Sequence, residues 1–231
     1  MIVTLNEVEQ WCLRALAGAP AGVDEDAAAA AAWLVARGFP ALELLIAALD
    51  RCGDAAAAAR VTAQGARRFD AGGHSAVFLA GVLVDNAVAA AASDDATARI
   101  TVAALSDPLY LLPVAERYRR RGSCLELLWE AGGARLDGGG TCLLGDATAL
   151  ATTGPVEVSI ACGAQSPDGA ALPAAVRPHD LEARYANILE HGVTVTDQTR
   201  SRLKALGMRA LVPASEASRV RGAGSAASDN E

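Results

Sequence analysis

Alanine does more than any other residue to limit what this chain can become. Runs at Ala27 to Ala32 and Ala89 to Ala92 favour helix strongly, yet each side chain brings little apolar area to bury. Helices of this kind stabilise a fold by packing closely, with the bulk of the core supplied by the leucines, valines and aromatic residues around them. That also explains why a mean hydropathy of +0.24 and a hydrophobic content of 52% do not signal a membrane protein. The longest apolar stretches, Pro40 to Leu49 and Ser75 to Val84, fall short of the ~20 residues a bilayer requires. The start, Met1 to Glu7, has neither a basic stretch nor an apolar run of the secretory type, so a cytoplasmic protein is expected.

With 231 residues the chain can bury a substantial core in one large domain or two small ones, and one compact unit is the simpler expectation. A net charge of −7 opposes attraction to phosphate backbones, and the one basic cluster, Arg117 to Arg121, reads as a solvated helix end. No nucleic-acid partner is expected. Cys12, Cys52, Cys124, Cys142 and Cys162 are odd in number and contain no C-x-x-C pair, so they read as reduced, mostly buried thiols.

Taken in order, Asn6 can cap a first helix whose Val8, Trp11, Cys12, Ala15 and Leu16 form one apolar face, ending at Gly18 and Pro20. Asp24 can cap a second helix through Trp33 to Val35. Gly38 and Pro40 then separate it from a leucine-rich third. These three define an N-terminal helical subdomain, residues 1–59, packed around Trp11 and Trp33. An α+β core, 60–211, follows.

Within that core, Gly72-Gly73 marks a turn before Ala76 to Val84, read as strand or loop leading into a helix that ends near Ala92. Arg99 to Leu105 reads as a strand stopped by Asp107-Pro108, and a helix runs from about Leu109 to Arg121. Cys124 to Glu130, Ala134 to Asp137 and Thr141 to Leu144 are short strands separated by glycine turns, which predicts an antiparallel meander rather than parallel units with crossover helices. Val156 to Cys162 alternates at period two and adds a half-buried strand. Two further helices are expected. One runs from Asp180 to Glu190 with Leu181, Tyr185, Ile188 and Leu189 on one face, and a last one is capped by Thr196 or Asp197. The fold class is therefore α+β, an N-terminal helical subdomain packed on a mostly antiparallel sheet, with an irregular polar tail at 212–231.

The stretch Ala32-Trp33-Leu34-Val35-Ala36-Arg37-Gly38-Phe39-Pro40, together with Val212 to Arg219 and Arg221-Gly222-Ala223-Gly224, resembles a bacterial family known only as a domain of unknown function, the 3726 type. The resemblance implies no activity. A weaker likeness, in the first two helices, is to malate/L-lactate dehydrogenase-like oxidoreductases. That family places a Ser-His-Gly motif shortly afterwards. This chain has Phe39-Pro40-Ala41-Leu42 there, so no catalytic histidine carries over.

The residues with most chemistry lie in the tail. Arg219 and Arg221 are fixed cations able to clamp a carboxylate or phosphate. Gly222 and Gly224 allow close backbone approach, Ser215 and Ser218 offer hydroxyls, and Glu216 can orient an arginine. The contrasting reading is a frayed polar end. His74, beside Gly72-Gly73 and Ser75, is a candidate base, weighed against an ordinary loop histidine. His179 and His191 lack metal-ligand spacing, Gly138-Gly139-Gly140 lacks the context of a phosphate loop and reads as a hairpin turn, and Glu126, Glu130 and Asp137 read as a solvated strand face. No metal and no cofactor is assigned. Two function classes stand. The first is a binding protein or metabolic enzyme for a small anionic metabolite. The second is a non-catalytic accessory subunit or homo-oligomer whose tail docks into a protein partner.

Overall fold

The computed structural model describes residues 1–19, 25–52, 61–93, 97–130, 132–145, 149–164 and 174–209. A short strand β1 (Ile2–Val3) leads into α1 (Leu5–Ala17), followed by α2 (Glu25–Val35) and α3 (Ala41–Arg51). The cap of α1 is Thr4 rather than Asn6. Its hydroxyl accepts from the Glu7 amide at 3.2 Å while the Glu7 carboxylate accepts from the Thr4 amide at 2.8 Å, a reciprocal box that starts the helix two residues early. Val8, Cys12, Ala15 and Leu16 form the buried face, as their spacing requires. Asp24 lies outside the described residues.

The tryptophans are not the centre of this helical group. Trp11 and Trp33 are only half-buried, and the interior is filled by Leu16, Leu34 and Leu45. An indole is too large for the narrow seam between alanine faces, so both rings sit at its rim. There Arg37 lies 3.9 Å over the Trp33 ring and 4.9 Å from that of Tyr185.

Two short strands, β2 (Thr62–Ala63) and β3 (Arg68–Asp70), precede α4 (Ala76–Ser93) and β4 (Thr97–Leu105). The strand or loop expected over Ala76 to Val84 is helix instead. One helix runs on through Asp85-Asn86, with the Asn86 amide folded back onto the Val82 carbonyl at 2.7 Å. By length and composition α4 is apolar enough to cross a membrane, with a mean hydropathy of 1.8, but Leu79, Leu83, Val84 and Ala87 are buried where it packs on the sheet and its neighbouring helix. Strands β3 and β4 pair in parallel across α4, a crossover unit that the sequence reading did not anticipate.

After a 3-10 turn at Pro108–Tyr110 come α5 (Leu111–Arg119) and the antiparallel meander β5 (Cys124–Trp129), β6 (Gly132–Asp137) and β7 (Gly140–Gly145). Then follow β8 (Val156–Gly163), β9 (Ala174–Val176), α6 (Pro178–His191), β10 (Val193–Thr194) and α7 (Asp197–Met208), capped by Thr196. The main sheet has the order β2-β3-β4-β8-β5-β6-β7-β9, antiparallel except at β3–β4, and β1 pairs with β10 in a second, two-stranded sheet. Helices α4 and α5 lie against the main sheet, and the N-terminal helices pack chiefly onto them and onto α7. The α+β architecture is thus layered, with α4 and α5 between the sheet and the outer helices. On α6 only Leu181 is fully buried. Leu189 is exposed, because the helix meets β7 and Arg37 without entering the core.

Glu126 corrects the expectation of a solvated strand face. It is fully buried, accepting from Arg99 at 3.2 Å and Arg135 at 3.3 Å. Strand register explains this. Ala161 of β8 pairs with both Arg99 and Glu126, and its small side chain lets the arginine reach across an entire strand. Glu130 is exposed, and Asp137 closes the Gly138-Gly139 hairpin by accepting from the Gly139 amide at 2.8 Å. The Arg117 to Arg121 cluster is partly tied down. Arg117 bonds Asp26 at 2.6 Å, and Arg119 and Arg120 bond Glu116, which also accepts from Thr141 at 2.8 Å.

Helices α1 and α7 approach so closely that a Cβ built at Gly18 would stand 2.0 Å from the Leu206 carbonyl oxygen. Gly18→Ala should therefore cost about 3 kcal/mol, the upper end of overpacking. Gly81→Ala within α4 meets nothing within 4 Å and should stabilise by about 0.5–1 kcal/mol. Urea unfolding of the two variants checks both signs. Burial pushes the Glu116 carboxyl up, but hydrogen bonds from Arg119, Thr141 and Arg120 outweigh it and hold its pKa below the ordinary value. Its contribution is present above the ordinary carboxyl pKa and is lost as pH falls through the lowered folded value. Glu116→Gln should flatten the acid limb of a stability–pH curve.

Candidate functional site

The end of β4 departs from regular strand. Its pairing with β8 shifts register between Val102 and Leu105, with Ala104 at φ 52°. Asp107 follows at φ 53°, also left-handed. A residue before proline is disfavoured in the right-handed helical region, and aspartate tolerates the left-handed one better than most, so Asp107-Pro108 suits this bend. Two strained residues within four positions mark a place where surrounding contacts over-determine the backbone.

Those contacts come from the turn before α4. The Gly73 amide donates to the Ala104 carbonyl at 2.8 Å, the Ser106 amide to the His74 carbonyl at 3.0 Å, the Ala76 amide to the Ser106 carbonyl at 2.8 Å, and the Ser106 hydroxyl to the Gly73 carbonyl at 3.0 Å. This stitching sets Ser75 beside Asp107. The Ser75 hydroxyl donates to Asp107 Oδ2 at 2.5 Å, and Arg51, at the end of α3, donates to the same oxygen. The Tyr110 hydroxyl donates to the Ala41 carbonyl at 2.7 Å, tying the start of α3 to the segment that follows Asp107.

Asp107 is 0% exposed, and its Oδ1 has no hydrogen-bond partner among the described residues. An orphaned buried carboxylate oxygen is uncommon in a folded protein and needs a reason. Burial raises the Asp107 pKa above the ordinary value, opposed by the Ser75 hydrogen bond and by Arg51. The Arg51 side chain is 42% exposed, and its one hydrogen bond among described residues is to Asp107. The result is a guanidinium pinned on its inner side by a buried carboxylate while its remaining donors face outward. It can take an anion, and Asp107 can hold or release a proton beside it.

Of the residues expected from sequence, His74 alone falls within the described part. It contributes its backbone to the stitching, is half-buried, and its imidazole makes no hydrogen bond to a described residue. Ser215, Glu216, Ser218, Arg219, Arg221, Gly222 and Gly224 lie outside the described residues. Sequence reasoning missed Asp107, Ser75 and Arg51. Asp107-Pro108 carried only the signal of a strand stop, Ser75 that of a turn, and Arg51 that of a helix end. No cluster of three or more His, Cys, Asp or Glu able to hold a metal occurs among the described residues. His179 and His191 stand at opposite ends of α6.

The fold is similar to that of several solved dehydrogenases. A dehydrogenase from Sinorhizobium meliloti superposes with a TM-score of 0.61 at 13% identity, over 90% of this chain and 99% of that one. Malate dehydrogenase from Entamoeba histolytica gives 0.60 at 7%, over 92% and 99%. Sulfolactate dehydrogenase from Methanocaldococcus jannaschii gives 0.60 at 9%, over 91% and 97%. At such identities the likeness is one of fold. In sequence, residues 3–74 match the family described as a protein of unknown function, DUF3726. The match takes in α1 to α3 and the Trp33–Arg37 pair, whose stacking gives those two residues a physical role. No curated protein matches the chain in sequence.

Because the folded state favours protonated Asp107, the associated stability is present below the ordinary aspartate pKa and is lost as pH rises through the raised folded value. Asp107→Asn, which cannot ionise, should therefore gain stability relative to wild type as pH rises from about 4 to 7. Urea unfolding of both proteins across that range is the measurement. A difference that does not vary with pH would show that folded Asp107 ionises as it does in the unfolded chain, its pKa not raised.

Proposed function

We propose that the protein binds a small carboxylate-bearing metabolite at the Arg51–Asp107–Ser75 centre and acts on it as a cytoplasmic metabolic enzyme. Arg51 anchors the carboxylate, and Asp107 with Ser75 exchanges a proton with the bound molecule. The observation that carries this reading is the half-exposed guanidinium held by a fully buried carboxylate whose second oxygen is unpartnered. Holding Arg51 in place beforehand lowers the ordering cost of binding. The names of the structural neighbours support the ligand class, since malate and sulfolactate are both small anions. Arg219 and Arg221, outside the described residues, stay in the proposal as further anion anchors.

Thermal unfolding with malate and sulfolactate tests it. At a ligand concentration a hundredfold above Kd the wild type should gain about 2.7 kcal/mol, equivalent to about 5–10 °C in Tm for a chain of this size. Arg51→Ala should abolish the gain, and Arg51→Lys, which keeps the charge but not the fork, should retain part of it. An equal gain in Arg51→Ala would overturn the assignment, as would the absence of any gain from small mono- and dicarboxylates in the wild type.

A further inference from the structure

A groove lined by described residues lies away from Asp107, between α1 and α7. It holds about 560 Å³, within the range of small-molecule sites, and is lined by Trp11, Arg14 and Ala17 from α1 and by Arg200, Leu203, Lys204, Gly207 and Met208 from α7. Helical spacing accounts for the set. Residues 11, 14 and 17 share one face of α1, and 200, 203, 204 and 207 share one face of α7. The helices close on each other at Gly18 and Leu206, and a Cβ at Gly207 would stand 3.2 Å from the Arg14 carbonyl oxygen. With no side chain at Gly207, nothing from that position fills the trough above the contact.

Three cations line this one groove. The net charge is −7, and Arg37, Arg51, Arg68, Arg99, Arg117, Arg119, Arg120, Arg135 and Arg202 each meet a carboxylate. Arg14, Arg200 and Lys204 have no carboxylate partner among the described residues, although they share one groove. Arg202, on the same helix, does reach a carboxylate, binding Asp50 of α3 at 2.7 Å. The Arg200 guanidinium stands 6.0 Å from the Trp11 ring centroid, too far for the close stacking that Arg37 makes on Trp33 at 3.9 Å. Three cations left unneutralised around an indole and an aliphatic floor form a site of defined polarity.

We infer that this groove binds a small aromatic anion, a planar ring system carrying a phosphate, sulfonate or carboxylate. The ring lies against Trp11 and Leu203, and the anionic group is held among Arg14, Arg200 and Lys204. From residue 200 to residue 208, α7 rises about 12 Å, the length of one ring system with its charged substituent. This site is separate from the proposed centre at Arg51 and does not depend on it.

Calorimetric titration of the full chain with 1-naphthyl phosphate at low salt tests the inference, with 1-naphthol and inorganic phosphate as its two halves. One molecule should bind, at least tenfold tighter than either half. Arg14→Gln combined with Lys204→Gln should weaken binding tenfold or more without lowering Tm, because neither side chain has a carboxylate partner to lose. Binding should quench tryptophan fluorescence in the wild type but not in Trp11→Phe, and Arg51→Ala should leave the affinity unchanged. Three results would overturn the inference: no binding, an unchanged affinity in the double variant, or a loss of affinity that follows Arg51→Ala.

Discussion

The main sheet depends on where β8 lies. This strand comes after the meander in sequence, yet it enters between β4 and β5, pairing antiparallel with both from Val158 to Gly163. Without it the sheet would be two fragments, β2-β3-β4 and β5-β6-β7-β9, each with an open edge under one layer of helices. Its burial fits that role. Val158 and Ile160 face the helices, while Ala161 lies between Arg99 and Glu126 on the other face and lets them meet. Sheet continuity and the buried ion triad therefore have one source.

The candidate centre is a second product of the same region. β4 leaves regular pairing with β8 just where the register shifts, and the freed segment swings Ser106 and Asp107 toward the turn before α4. The bend, the stitched turn and the end of α3 converge on one carboxylate oxygen. The outer helices and α7 then frame a separate groove whose cations the fold leaves without carboxylates. The fold is similar to that of dehydrogenases at 7–13% identity, and a fold does not fix a function, so function has to be argued from the polar groups this chain carries.

Much of this was legible in the sequence, for physical reasons. The apolar face of α1, the leucines of α3 and the strand β8 are local patterns, and each appears where it was expected, although β8 alternates only as far as Ser159 and is buried on both faces from Ile160 on. Of the two glycine turns expected in the meander, Gly138-Gly139 joins β6 to β7, whereas Gly132 and Gly133 lie within β6 and pair with Trp129 and Leu128. What failed to show depends on contacts between distant segments. Val156 to Cys162 reads as a strand but carries no mark of its neighbours, and Glu126 reads as exposed until Arg99 is brought across β8. The run Ala76 to Val84 concealed the start of α4, because a short, continuously apolar stretch suits a buried strand as well as a buried helix. Asp107 was visible only as a stop signal, since neither its strain nor its unpartnered oxygen exists before the chain folds.

The pairing of β1 with β10 and the packing of α1 on α7 join segments about as far apart as the described chain allows, with Ile2 opposite Thr194 and Gly18 against Leu206. As the chain is synthesised, α1 emerges nearly two hundred residues before α7 and has no complete surface to cover until then. Closing so long a loop adds an entropic cost that grows only slowly with length, but it sets an order of events. Among the described elements α1 is one of the last to be secured, and its apolar face needs protection in the meantime.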